Sequence, residues 1–313
     1  MTFDPSSSIP FPSPNTFRER LGTLLPEFQA VDWVESTGST NKDLGDLARA
    51  MASSAALSAN VPVSTIATVA TASWPRLLGA HLQTAGKGRA ARPWHNAAGE
   101  CLMFSCGFAP KIATGDLPGI APALGIASCL ALRSLLTPLI GAPTAHQLTL
   151  KWPNDLQWKD AKLAGILVET APSAKPKQPV LVIGMGLNLS GASKLSAELQ
   201  RPVADLSHIL LKQAIDPIEL VAALAQAWQR TLHDYAATGY AGFAARYQEV
   251  DGLFGEQVDV LDQGKLLHTG IARGTDSIGR LQIETASGLL PILVGDVSIR
   301  ARATPHASSA RDA

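Results

Sequence analysis

The sequence is poor in cysteine: Cys101, Cys106 and Cys129 are the only three in 313 residues, with no CxxC and no ordered ladder of His and Cys around them. That sparse, odd set argues against a disulfide scaffold and a structural zinc site, and points to a reduced, intracellular setting. Net charge is lacking as well. The 26 basic and 26 acidic side chains cancel, so no global field draws the chain to nucleic acid or to an anionic membrane. The first seventeen residues hold Asp4 but no Lys or Arg, and Pro5, Pro10, Pro12 and Pro14 interrupt them, which excludes a secretory h-region. An uninterrupted apolar span is missing too. The longest stretch, Ile120 to Ala142, carries Pro122, Arg133 and Pro138 and reads as a buried helix. These absences describe a cytoplasmic protein with no membrane span.

What is present is material for a core. Hydrophobic residues make up 46% of a length that suits one large or two modest domains. Residues 1–15 are rich in Ser and Pro, the tail after Arg300 has the same character, and both are expected to be disordered. Helix signals cover residues 41–49, with Ser39 or Thr40 as N-cap, and residues 117–139, ending near Pro138. A third helix opens on Asp216-Pro217-Ile218-Glu219, with Asp at the N-cap, Pro at N1 and Glu at N3, and runs towards Tyr235; a fourth covers roughly 242–249. Strand signals sit at 148–152, 165–170 and 180–185, the last two joined by a Pro/Lys loop as in an antiparallel pair. From Gly255 on, short alternating runs are broken by Asp262-Gln263-Gly264, Ser277-Ile278-Gly279 and Ser287-Gly288. Hairpins at that spacing imply a small β-barrel of about fifty residues, beginning near Asp251. The Ala/Ser-rich stretch 50–73 reads equally as an ordered connection or an insertion.

Four local motifs carry candidate chemistry. Gln83-Thr84-Ala85-Gly86-Lys87-Gly88-Arg89-Ala90-Ala91-Arg92-Pro93-Trp94 sets two glycines around a lysine, so that backbone N–H groups can turn to one point beside cationic side chains. Between Asp46 and Glu100 there are five basic residues and no acidic one, which leaves these cations without local partners and available to an anionic ligand. Lys151-Trp152-Pro153-Asn154-Asp155 closes a strand, because Pro153 has no N–H for a central ladder, and displays Asn154 and Asp155 at its tip. Lys162 precedes the apolar run Leu163 to Val168 and could aim its ammonium into a cleft. Gly184 and Gly186 permit close approach to something flat, or mark a bulge. Each motif alone has a plain structural reading as a solvated loop, a turn, a surface lysine or a bulge.

Their order is more telling. Ser39-Thr40-Asn41, the Gly/Arg loop, KWPND, KLAGILVE and GMGLN follow one another in a way that resembles the biotin–protein ligase family, the biotin–(acetyl-CoA-carboxylase) ligases. The resemblance runs from about Ser36 to Arg300 and includes the closing Gly295-Asp296-Val297-Ser298-Ile299-Arg300. It implies an α+β fold: a mixed-sheet catalytic domain of the biotin/lipoate ligase type over residues 16–250, then a small SH3-like β-barrel over 251–301, with 302–313 as tail. It implies two reactions. The carboxylate of biotin attacks the α-phosphorus of ATP to give biotinyl-5′-AMP, and a lysine of a biotin carboxyl carrier protein then displaces AMP. ATP and biotin are the substrates, with Mg²⁺ as the accompanying ion.

The resemblance also assigns roles. Lys162 bridges the biotin carboxylate and the α-phosphate, and Arg89 and Arg92 hold the carboxylate and phosphates. Gly86, Lys87 and Gly88 form the loop that folds over the intermediate. Ser39, Thr40, Asn41 and Gln83 meet the ureido end of biotin, and Gly165 and Gly186 admit its flat bicycle. Trp94 stacks on ligand or adenine, while Lys151, Asn154 and Asn188 meet the nucleotide. Asp155 orients or deprotonates the incoming lysine, with structural capping of its turn as an equal alternative. The chain departs from the family's usual loop, GRGRxGR, at Lys87 and Ala91, and has Asn96 where a serine is usual. Lys87 keeps the charge without the planar fork; Ala91 restricts a backbone that Gly would free.

Two other activities compete. A biotin-responsive repressor needs roughly sixty residues of winged helix-turn-helix before the STN motif, whereas 38 residues precede Ser39, so nucleic acid is not an expected partner. A lipoate or octanoate transfer enzyme shares the fold, but KWPND, KLAGILVE and the terminal β-domain favour biotin. Pairing of an exposed sheet edge, with a second copy or with the carrier domain, is open in this fold.

Overall fold

The apolar run Val180–Asn188 forms a regular strand whose alternation sorts the fold. Leu181, Ile183, Met185 and Leu187 point into the main core, while Val180 and Val182 face the other way, against Leu44 and Ala48. A strand buried on both faces belongs to the middle of a sheet covered on both sides. The computed structural model describes residues 11–56, 73–95, 97–173, 178–211, 213–293, 295 and 297–301. The expectations for residues 1–10, most of the 50–73 stretch, Asn96, Asp296 and the tail after Ala301 lie outside those residues.

The sheet has seven strands, β1 (Ala30–Thr37), β2 (Arg76–Gln83), β3 (Cys101–Phe108), β4 (Leu148–Lys151), β5 (Asp155–Trp158), β6 (Ala161–Ala171) and β7 (Val180–Asn188). Their spatial order is β1-β2-β3-β7-β6-β5-β4. β1 and β2 are parallel and the other neighbours in this sheet are antiparallel, which makes it mixed. The helices are α1 (Pro14–Leu24), α2 (Thr40–Ala56), α3 (Ile120–Ile140), α4 (Ala142–Ala145), α5 (Ala192–Leu199), α6 (Leu206–Leu210), α7 (Pro217–Thr238) and α8 (Ala244–Val250). α2 lies on one face, and α1, α3 and α7 share the main core on the other.

Local chemistry explains the ends. Ser13 caps α1 by accepting from Thr16 N, and Pro14 takes the first turn, so the segment expected to be disordered through residue 15 is helical from Pro14, with Phe17 and Leu21 buried beneath it. Asp216 caps α7 by accepting from Ile218 N at 2.8 Å, a contribution of about 1 kcal/mol. α3 begins at Ile120 after a tight turn over Thr114–Gly119 and runs past Pro138 to Gly141, whose φ of +79° ends it. By length and composition this segment is apolar enough to cross a membrane, but half of its most apolar window is buried within the protein. Its Arg133 gives its N–H groups to three neutral carbonyls, Leu148 O, His146 O and Glu249 O.

Five further strands follow: β8 (Gln257–Asp262), β9 (Lys265–Thr275), β10 (Leu281–Thr285), β11 (Gly288–Ile292) and β12 (Val297–Ala301). They form an antiparallel sheet in the order β11-β10-β9-β8-β12, with hairpin turns where the sequence predicts them. Among the described residues its two edges, β11 and β12, do not pair with each other, so the ladder stays open. Val258, Val260, Leu281, Ile283 and Ile299 belong to the same apolar cluster as the large sheet, and Trp152 Nε1 donates to Gly279 O at 3.0 Å across the junction. The described residues ahead of Ser39 form α1 and β1 and contain no helix-turn-helix.

Candidate active site

Strand register builds the floor of the site. Gly186 on β7 stands directly beside Gly165 on β6, and Asp155 on β5 continues the same row. Two neighbouring glycines leave a bare patch on the α2 side of the sheet, and the protein covers it with its own indole. A Cβ on Gly186 would fall inside the Trp94 ring, and one on Gly165 would come within 3.2 Å of that ring and 3.1 Å of Lys162 Nζ. β7 runs in unbroken register between β3 and β6, so the glycines mark no bulge. Lys162 Nζ sits 5.4 Å from the centroid of the Trp94 ring, a cation–π geometry. Trp94 Nε1 donates to Cys101 Sγ at 3.4 Å, and burial pushes that thiol up to about 12, which keeps it a neutral neighbour.

The Gly/Arg loop is a small hairpin. Trp94 N donates to Gly86 O at 2.9 Å, Lys87 bridges Pro93, and Gly88 N donates to Arg92 O at 2.7 Å, leaving Arg89–Ala91 at the tip. Ala90 and Ala91 have φ of 52° and 55°, so the backbone takes the left-handed conformation despite the missing glycine, at roughly 1–2 kcal/mol for each side chain. Arg89 is not without local partners, as the sequence suggested. Its guanidinium donates to Asn154 Oδ1 at 3.0 Å, to Val297 O at 3.2 Å and to Gly295 O. These three acceptors are neutral amide and peptide oxygens. Lys87 and Arg92 are exposed, and no described side-chain contact joins either of them to Lys162.

The KWPND segment and Lys162 meet at the other wall. β4 stops at Lys151, as Pro153 requires, but the turn (which contains a cis Trp152–Pro153 bond) leads straight into β5. Asn154 is therefore buried rather than displayed: its Nδ2 donates to Ile166 O at 2.6 Å while its Oδ1 receives Arg89. Asp155 Oδ1 accepts from Lys162 Nζ at 2.7 Å. Lys162 is the second residue of β6 and not a residue ahead of it; its N–H donates to Pro202 O and its C=O accepts from Ala204 N. Asn188 spends its Nδ2 on Lys162 O and Ala204 O, which ties β7 to that same segment.

Charge converges here. Burial pushes the Lys151 ammonium below the ordinary lysine range; the Asp155 carboxylate opposes this, and the cations of Lys162, Arg201 and Arg300 push it further down. Cations within electrostatic reach of a part-buried lysine, with one carboxylate opposing them, make a region that favours an anion. Arg201 and Arg300 were not anticipated as site residues: Arg201 belongs to none of the motifs, and Arg300 only closes the Gly295–Arg300 segment.

The polar end lies at the start of α2. Ser39, Thr40 and Asn41 are all buried. Thr40 N donates to Gln83 Oε1 at 2.8 Å, Thr40 Oγ1 and Ser105 Oγ are 2.6 Å apart, Ser105 Oγ donates to Asn41 Oδ1 at 2.6 Å, and Asn41 Nδ2 donates to Glu169 Oε2 at 2.8 Å. Ser105 and Glu169 were missed by sequence reasoning because both sit inside strands with no motif of their own. A cavity of about 330 Å³ opens beside Gln83, Gly86 and Trp94, with His95, Lys194 and Glu198 on its far side. A second, of about 30 Å³, lies between Trp94, Lys162, Asn188 and Arg201. Trp94 walls both. Among the described residues, no three His, Cys, Asp or Glu side chains gather where they could hold a metal ion.

Comparison with known proteins brings these features together. A model described as the biotin/lipoate A/B protein ligase family matches residues 71–188, and one described as the biotin protein ligase C terminal domain matches 253–300. The biotin–(acetyl-CoA-carboxylase) ligase of Mycobacterium tuberculosis is 32% identical over 283 residues, covering 90% of this chain and 93% of that protein. The bifunctional ligase/repressor BirA of Escherichia coli is 30% identical over 225 residues, 71% of this chain, and the match spans 65% of BirA's own length. Among solved structures, the biotin protein ligase of Aquifex aeolicus in complex with biotin and ATP superposes with a TM-score of 0.64 at 23% identity, covering 88% of this chain and 100% of that one. At that identity the likeness establishes the fold.

Proposed function

Because this chain belongs to the biotin–protein ligase family, a family of ligase enzymes, we propose that it condenses biotin with ATP to biotinyl-5′-AMP and transfers the biotinyl group to a lysine of a biotin carboxyl carrier domain. The chemistry needs the nucleotide because a free carboxylate would have to expel oxide when an amine attacks it, whereas the mixed anhydride expels AMP. In the first step the carboxylate oxygen attacks the α-phosphorus, a new O–P bond forms and pyrophosphate departs with the electron pair of the broken P–O bond. A carboxylate and a polyphosphate repel one another, so fixed cations must hold them together.

One observation carries this reading. Lys162 lies at once above the Gly165–Gly186 floor, against Asp155, and within the group of Lys151, Arg201 and Arg300. In this proposal Lys162 leaves Asp155 to bridge the biotin carboxylate and the α-phosphate. Lys151, Arg201 and Arg300 neutralise the remaining phosphates, with Arg92 and Lys87 brought in as the loop closes. Arg89 exchanges its neutral carbonyl partners for the anion, and Trp94 gives up the glycine floor to the flat bicycle and then lies over it. Asp155, freed from Lys162, is placed to accept the proton of the incoming carrier lysine. Asn154 acts by holding backbone, since both ends of its amide are spent, whereas Asn188 ties down Lys162 O and Ala204 O through Nδ2 and lines the small cavity beside Lys162. Closure over the intermediate excludes water that would hydrolyse the anhydride.

The donor set has one carboxylate, Asp155, close to the cations, which does not suit a resident metal cage. Mg²⁺ therefore belongs to the ATP phosphates and enters with that substrate. We take residues 16–250 as the catalytic unit and 251–301 as the SH3-like unit, whose Gly295 and Val297 carbonyls hold the loop tip through Arg89. The three cysteines are free and buried, in keeping with a cytoplasmic setting. The test is transfer: a biotin carboxyl carrier domain incubated with the protein, biotin and MgATP gains one biotinyl group by mass spectrometry. Absence of that product, or an equal yield with lipoate, overturns the reading.

A further inference from the structure

A chain of hydrogen bonds runs from Glu169 at the surface to Gln83 at the cavity wall, and its direction is dictated by chemistry. The Glu169 carboxylate only accepts, so Asn41 must turn Nδ2 toward it and Oδ1 away. That Oδ1 takes the single Ser105 hydroxyl proton, at 2.6 Å. With its proton spent, Ser105 can only accept from Thr40 Oγ1, also at 2.6 Å. Thr40 thus donates inward and turns lone pairs to its other neighbours. One of these is Gln83 Oε1, 3.3 Å from Thr40 Oγ1 and itself held by Thr40 N. Gln83 Oε1 is already met by Thr40 N, and with the single Thr40 hydroxyl proton given to Ser105, the outward lone pair of Thr40 Oγ1 is what a ligand N–H at the edge of the site would satisfy. The bare Gly184 makes the relay possible, because a Cβ there would fall on Asn41 Oδ1 and come within 3.2 Å of Ser105 Oγ.

We propose that Ser105 and Glu169 are positioning residues for a ligand N–H: acting through Asn41, they hold the Thr40 hydroxyl as an acceptor beside Gln83 Oε1. The ligand group this fits is a ring urea or similar cyclic amide, which presents its N–H in one plane with its carbonyl. This rests on reading the cleft as a biotin site, and it names what selects the ureido end. A ligand without such an N–H, lipoate among them, would offer no donor to the outward lone pair of the Thr40 hydroxyl.

The test is biotin-dependent ATP–pyrophosphate exchange with the full chain. Ser105→Ala and Glu169→Ala each raise the KM for biotin about five- to tenfold, near the worth of one neutral hydrogen bond. The KM for ATP and kcat stay within about twofold of wild type. Glu169→Gln, whose amide oxygen still accepts from Asn41, brings the KM for biotin back to within about threefold. Ser105 and Glu169 do not touch, so independent defects would multiply, whereas breaks in one relay do not. The double variant is therefore expected to lose no more than the worse single variant. Glu169 is exposed, so its variants fold and carry the test even if Ser105→Ala does not. Unchanged KM values for biotin in the Glu169 variants, or multiplying losses, overturn the relay while the biotin reading stands. A wild-type protein that shows no biotin-dependent exchange removes the reading itself, and the relay with it.

Discussion

The two ends of the site are built on opposite principles. At the polar end, Thr40, Asn41, Ser105 and Gln83 are buried or half-buried and joined by hydrogen bonds of 2.6 to 2.8 Å, so the recognition surface exists before any ligand arrives. At the cationic end, Lys162 pairs with Asp155, and the charges of Lys162, Arg201 and Arg300 all act on the part-buried Lys151. Here like charges are brought together at an energetic cost that only an anion offsets. On the function proposed here, the difference assigns binding to the polar end and reaction to the cationic end. A neutral ring is recognised by preset donors and acceptors, whereas a developing phosphoryl charge needs field strength held ready. Trp94 stands between the two and walls both cavities.

The comparison can be broken most severely at Lys162. Lys162→Ala is expected to lower biotinyl-adenylate formation by about 10³-fold, the scale of losing a preorganised cation at the reacting centre. Its melting temperature should change little, because the residue is a strand side chain at the cleft edge, and biotin affinity should fall far less than the rate, because the ring is held at the polar end. Biotin affinity falling with the rate would merge the two ends into one. Next in size is Gly186→Ala, which places a methyl group inside the Trp94 ring. Overpacking of roughly 1–3 kcal/mol should raise the KM for biotin about tenfold or more and alter Trp fluorescence, with the KM for ATP unmoved.

A smaller effect separates the ends by pH. Since burial and neighbouring cations hold the Lys151 ammonium below the ordinary lysine range, it loses its proton first as pH rises. The KM for ATP should climb at a pH below that at which ordinary lysines titrate, while the KM for biotin stays level. Lys151→Arg, which keeps its charge, should flatten the climb. The mildest expected change is Ala91→Gly. Removing the side chain from a residue with φ of 55° relieves roughly 1 kcal/mol, which should raise the melting temperature by about 2 °C. A lower melting temperature would mean that the loop tip is not strained.

Much of the cationic end was legible because its residues travel in short motifs whose order is distinctive. Lys162, Asp155 and Arg89 are named by KLAGILVE, KWPND and the Gly/Arg loop, and the structure sets them within one neighbourhood. Their state was not legible. Nothing in the one-dimensional order says that Arg89 reaches the carbonyls of Gly295 and Val297, which lie 206 and 208 residues away. The polar end was half-visible: Thr40, Asn41 and Gln83, named from the sequence, meet in one hydrogen-bonded cluster, but Ser105 and Glu169 join it through register, and register is not written locally. For the same reason β1, β2, β3 and β5 went unread. β1 mixes Asp32 and Glu35 into its alternation, β3 is buried on both faces and so shows no alternation, and β5 has four residues. The Gly165–Gly186 floor shows the limit clearly: two unremarkable glycines in separate motifs become one surface only when β6 pairs with β7.

The most direct test is ATP–pyrophosphate exchange by the purified wild-type chain, with biotin and lipoate compared side by side at equal concentration. The account predicts exchange that depends on biotin and stays at background with lipoate, since only biotin offers both a carboxylate for Lys162 and a ring N–H for the Thr40 hydroxyl. Equal exchange with lipoate, or none with biotin, would contradict it.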